Sequence, residues 1–129
     1  MKRLWTGMAV AIFLLSGVSA ALAGGTLDGK TFTGQMGEVG KPSGQPDDFV
    51  FHNGKFTSSL CAQFGYKGAP YLSKAEGDKV KFQLQCKSDK NGGTMTWDGV
   101  VKGDQIEGTS VTSENGQASM SWFKGTLKK

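Results

Sequence analysis

Several residue types that usually carry chemistry are scarce in this chain. Histidine occurs once, as His52, and arginine once, as Arg3. There is no Cys-x-x-Cys, no histidine pair, and no Asp/Asn ladder with calcium-loop spacing. No metal centre of the usual histidine, cysteine or carboxylate kind is expected, and no cofactor. Arginine is the residue favoured for bidentate phosphate and guanine contacts. Its near absence argues against nucleic-acid recognition. With one histidine and no recognisable nucleophile–base pairing, an enzyme is the least supported class. Beyond the first two dozen residues there is no long apolar run, which excludes a multi-pass membrane protein. The chain has 129 residues, enough for one small domain and too few for two cores.

The N-terminus is different in kind. Met1-Lys2-Arg3 gives a positive start, an apolar stretch runs from Met8 to Leu15, and small residues lead to Ala21-Leu22-Ala23. This is the three-part plan of a secretory signal peptide with an A-x-A cleavage site. Residues 1–23 are expected to be a leader and 24–129 a single exported β-barrel domain, periplasmic or secreted, touching the membrane only through the export signal. Cleavage would remove Lys2 and Arg3, leaving thirteen lysines against eleven acids and a net charge of +2.

From Leu27 onward the pattern is short alternating segments punctuated by Gly, Asn and Asp. Lys79 to Lys87 is the clearest strand, with Val80, Phe82, Leu84 and Cys86 on one face. Further strands are predicted over Gly29–Met36, Asp48–His52, Lys55–Cys61, Ala69–Lys74, Gly93–Lys102, Asp104–Thr112 and Gln117–Leu127. In the last, Ala118, Met120 and Trp122 are read as one face. Asn53-Gly54 and Asn115-Gly116 are strong two-residue hairpin signals, because both positions tolerate positive φ. The polar segment Gly37 to Asp47 reads as a mobile loop over one end, and Asp47-Asp48 as a solvated strand entrance. The fold class is therefore all-β: a small antiparallel eight-stranded up-and-down barrel, whose closure removes exposed edges.

Leu27-Asp28-Gly29-Lys30-Thr31-Phe32 resembles the opening strand of lipocalin-like (calycin-type) barrels, and Met95-Thr96-Trp97-Asp98-Gly99-Val100, Gly103-Asp104-Gln105-Ile106-Glu107-Gly108-Thr109 and Trp122-Phe123-Lys124-Gly125-Thr126-Leu127 resemble the C-terminal hairpins of small exported bacterial barrels of uncharacterised function. The resemblance implies a barrel able to hold a small apolar ligand and carries over no catalytic residue.

Cys61 and Cys86 are expected to be joined, since two cysteines in an exported domain of this size usually are. Such a bridge would close a loop of about 25 residues and contribute ~3 kcal/mol by chain-entropy reasoning. Two free buried thiols, or a reactive or metal-binding thiol, are the alternatives. Aromatics supply two further candidate sites. Phe32, Phe82, Trp97 and Trp122 could line a cavity for a small apolar ligand. Phe64, Tyr66 and Tyr71 lie in a Gly- and Pro-interrupted stretch and could form a rim that contacts an exported protein partner, for instance as an inhibitor of a hydrolase.

Overall fold

A computed structural model describes Leu22–Ala23 and residues 26–129. The predicted leader and its cleavage point lie outside the described residues apart from Leu22–Ala23, of which only the backbone is described. The strands are β1 (Leu22–Ala23), β2 (Thr31–Glu38), β3 (Gln45–His52), β4 (Lys55–Ser58), β5 (Ala69–Pro70), β6 (Leu72–Glu76), β7 (Lys79–Lys87), β8 (Thr94–Lys102), β9 (Gln105–Glu114) and β10 (Gln117–Leu127). One helical turn, α1 (Ser59–Ala62), follows β4. All are antiparallel neighbours in one sheet, ordered β1-β6-β7-β8-β9-β10-β2-β3-β4-β5. Strands β2 to β10 wrap into a nearly closed barrel.

Closure depends on residues 66–76. β5 pairs with β4 through Ala69 and Phe56, and β6 pairs with β7 through Leu72 and Gln83. Only Tyr71 separates the two, so one bent segment joins both flanks of the barrel. The eight expected strands become nine because this segment counts twice. A bridge between Tyr66 and Ser88 adds a second stitch nearer the loops. The β2 and β10 ends also meet, with the Lys128 amide donating to the Thr31 carbonyl at 2.8 Å.

Turn chemistry follows the residues. Asn53-Gly54 has φ of 53° and 76°, and Asn115-Gly116 has 52° and 77°, the doubly left-handed conformation that suits a two-residue hairpin. Inside the barrel, Gly99 and Gly108 face each other across β8 and β9. A Cβ on Gly99 would fall 2.5 Å from the Phe82 ring, and one on Gly108 2.7 Å from that of Phe123. The missing side chains make room for the rings.

Those rings fill the lower barrel. Phe49, Phe56, Phe82, Trp97 and Phe123 form a continuous set, with centroids 4.9 Å apart for Phe56–Trp97 and 5.0 Å for Trp97–Phe123. Phe51 packs on Phe32, Tyr71 and Phe82. Below them Leu27 is 1% exposed. The Tyr71 hydroxyl accepts from the Leu27 amide at 3.0 Å and donates to Asp28 at 2.8 Å. Asp28 also accepts from the Gly54 amide. This network plugs the end that carries the Asn53 turn.

Three expectations are corrected. The strand starting at Lys55 stops at Ser58, and Cys61 sits in α1. The cause is a cap: Ser58 Oγ accepts from the Cys61 amide at 3.2 Å and Asp47 accepts from the Leu60 amide at 2.9 Å. The segment 37–47 is no free loop. β2 runs to Glu38 and β3 begins at Gln45; the connection is tied by Val39 to the Met120 carbonyl and by Gly44 to Gln35. Nor is Asp47 solvated. It is buried, 4% exposed.

Candidate functional site

The plugged lower end leaves the upper end, where α1 and the connections 39–44, 63–68, 88–93 and 115–116 gather, as the place for a site. Four sulfur residues face inward here. Met36 and Cys61 are in contact, with Cys61 Sγ 3.8 Å from Met36 Sδ. Cys86 and Met95 are register partners on β7 and β8, and Met95 is matched in turn with Thr112 on β9. Met36, Cys61 and Met95 are buried and Cys86 is half-buried. The expected disulfide is absent: both cysteines are free. Placing Cys61 in α1 rather than on a strand sets it against Met36, while half-buried Cys86 stays on β7 opposite Met95.

Electrostatics around these groups follow burial. Burial pushes the Cys61 thiol up to about 11; a hydrogen bond from Ser58 acts the other way, and the charges of Asp47 and Cys86 add to the rise. Cys86 is raised by burial as well. Both therefore rest as thiols, unlike activated nucleophiles, which need a lowered pKa or an adjacent base. The one histidine, His52, is at the opposite end of the barrel, beside the Asn53 turn. Asp47 is also raised by burial, partly offset by hydrogen bonds from Leu60, Ser58 and Ser59. Tyr66 donates to Glu114 at 3.1 Å, and burial together with that carboxylate pushes its phenol up to about 12.

At the same end the β9–β10 hairpin carries an open cleft of about 400 Å³, lined by Thr112, Glu114, Asn115, Gln117, Ala118 and Ser119. Thr112, on the cleft, is the register partner of Met95, and Met95 of Cys86, in a row across β9, β8 and β7. On the same inward face Ser110, 1% exposed, has an Oγ without a hydrogen-bond partner among the described residues.

The sequence-predicted residues are dispersed by the fold. Phe32, Phe82 and Trp97 are buried among other rings, so they are core rather than lining of the upper cleft. Trp122 lies on the outer face. Phe123 is the inward residue of the pair, opposite Met36 and Gly108, and the face read from Ala118, Met120 and Trp122 points outward. Trp122 Nε1 donates to the Lys41 carbonyl at 3.0 Å, and Lys124 lies 5.4 Å from its ring. Of the rim trio, Phe64 is 57% exposed, but Tyr66 and Tyr71 are turned into the barrel at 4% and 0%.

Sequence reasoning missed Met36, Met95, Asp47 and Glu114. Alternation along the first predicted strand puts Met36 on the same face as Phe32, but nothing in the spacing of these four residues links them to the cysteines. Comparison with known proteins finds no matching family, no similar curated protein and no similar solved structure.

Proposed function

We propose that the protein is a small exported binding barrel of the lipocalin-like kind, periplasmic or secreted, which holds a small ligand at its upper end and performs no catalysis. The observation that carries this reading is the asymmetry of the barrel. One end is plugged by Leu27 and the Asp28–Tyr71–Gly54 network, and at the other the β9–β10 hairpin carries an open, polar cleft of about 400 Å³. The aromatic set below is packed ring to ring, so the ligand belongs above Trp97 rather than among Phe32, Phe82 and Trp97. Thr112, Glu114, Gln117 and Ser119 favour a ligand with polar groups over a wholly apolar one.

Native mass spectrometry of protein purified from a periplasm tests this. A co-purifying small-molecule adduct, lost in a Glu114→Leu, Ser119→Leu double variant that still folds, is the expected result. Protein that stays free of adduct and shifts none of its upper-end amide resonances against a metabolite mixture overturns it.

A second reading has its own support. Three of the large exposed apolar side chains, Val39 (55%), Phe64 (57%) and Met120 (51%), lie at this same end, with the Val39 amide bonded to the Met120 carbonyl. Such residues at a rim suit contact with an exported protein. Loss of a captured partner in Phe64→Ser and Met120→Ser, with no small-molecule adduct, would favour that reading.

A further inference from the structure

The sulfur residues at the upper end admit a reading independent of the cleft ligand. We propose that Met36 and Cys61, supported by Cys86 and Met95, form a binding site for a soft monovalent metal ion, Cu(I). Thiolate and thioether are soft donors that select Cu(I) over the harder divalent ions. Metal–sulfur bonds of about 2.3 Å set two sulfurs on one trigonal ion about 4 Å apart. Cys61 Sγ and Met36 Sδ already stand 3.8 Å from each other. Little movement is needed to seat an ion between them.

The neighbours argue for copper over zinc. Zinc is held by cysteine, histidine and carboxylate groups. Among the described residues no three side chains of His, Cys, Asp or Glu come together. His52 is at the far end of the barrel. What the upper end provides in number is thioether. Met36, at 7% exposure, and Met95, at 2%, are buried inside the barrel, whereas Met120, at 51%, is on its surface.

The site also has support and access. The turn that presents Cys61 is fixed by Ser58 on the Cys61 amide and by Asp47 on the Leu60 amide, so the thiol is held in place before any ion arrives. Met36 is set on the inner face of β2 opposite Phe123 of β10. Cys86, half-buried, is the more exposed of the two thiols and gives an incoming ion its first soft contact. The binding step is a simple exchange. The Cys61 S–H bond breaks, a Cys61 S–Cu bond forms, the proton leaves to water, and copper stays in the +1 state.

The test is an anaerobic titration of the purified, reduced protein with Cu(I), in competition with a chromophoric Cu(I) chelator, and in parallel with Ag(I) as a redox-inert substitute. The expected result is one ion per chain, with a sulfur-to-copper charge-transfer band in the near ultraviolet. Met36→Leu, which preserves shape, should weaken binding by about tenfold or more. Cys61→Ser should remove the band, and Met120→Leu should change nothing. Failure of the wild-type chain to draw Cu(I) from the chelator overturns the proposal. So does equal binding by Met36→Leu, a variant that decides the matter even if Cys61→Ser does not fold. Zn(II) displacing Cu(I) at equal concentration also overturns it. The cleft-ligand reading is unaffected by any of these outcomes, since it is scored by organic adducts at Glu114 and Ser119.

Discussion

Asp47 shows how one buried carboxylate can decide local structure. It reaches from β3 to the Leu60 amide and the Ser58 hydroxyl, and so converts the end of β4 into a helical turn. Its ionised form is disfavoured by burial, so its native pKa lies above 3.8. The linkage has a definite sign. An acid whose pKa is raised on folding contributes stability that is complete below about 3.8, its unfolded value, and is lost as pH rises through the native value. Urea unfolding at a series of pH values should therefore show wild-type stability falling, relative to Asp47→Asn, from pH 3.8 towards neutrality. Parallel curves would refute this. Asp47→Ala removes the acceptor of the Leu60 amide while Ser58 still caps Cys61, and should cost about 1–2 kcal/mol below pH 4 and less towards neutrality. The sequence offered no hint of this role, because the partners lie 11 to 13 residues downstream and meet Asp47 only through the β3–β4 pairing.

At the scale of elements, local pattern and tertiary packing divide the work. β7 was legible from Val80, Phe82, Leu84 and Cys86, and both Asn-Gly turns from their residue types alone. The extent of β10 was legible too, but not its phase. Trp122 and Phe123 are adjacent, both are large, and only their neighbours choose between them. Phe123 sits between Met36 and the bare Gly108, while Trp122 covers Gly37 on the outside. The Gly99–Gly108 pair is thus as much a packing feature as a backbone one. A methyl group at Gly108 would come 2.2 Å from the Asp98 carbonyl oxygen as well as meeting the Phe123 ring. Gly108→Ala should therefore destabilise the fold by about 3 kcal/mol. Thermal unfolding measures it, and a loss below about 1 kcal/mol would mean that the β8–β9 backbone shifts to make room as well as the ring.

For the whole molecule, the barrel class could be read from eight alternating segments, whereas the functional end could not. Met36, Cys61, Cys86 and Met95 come from three strands and a turn, and only closure of the sheet brings them to one end. Closure itself is uneven. β8 and β9 pair through nine residues each, but β5 contributes two, one of them Pro70, which has no amide proton to donate. Native-state hydrogen exchange should find the Tyr71 amide, bonded to the Gly54 carbonyl at 3.3 Å, exchanging well before the central amides of β8 and β9. Uniform protection around the barrel would count against a weak seam.

The hydrogen bond between Lys128 and Thr31 has a consequence of another kind. It places the last strand and the first long one side by side at the plugged end, 2.8 Å apart at the backbone. From β2 to β10, every neighbour in the sheet is then also a neighbour in the chain if a short peptide joins those two points. The barrel behaves as a ring whose starting position is arbitrary. A circular permutant cut in the 39–44 connection would keep each strand pair from β2 to β10, the aromatic interior and the sulfur-lined end, because none of them depends on where the ring is opened.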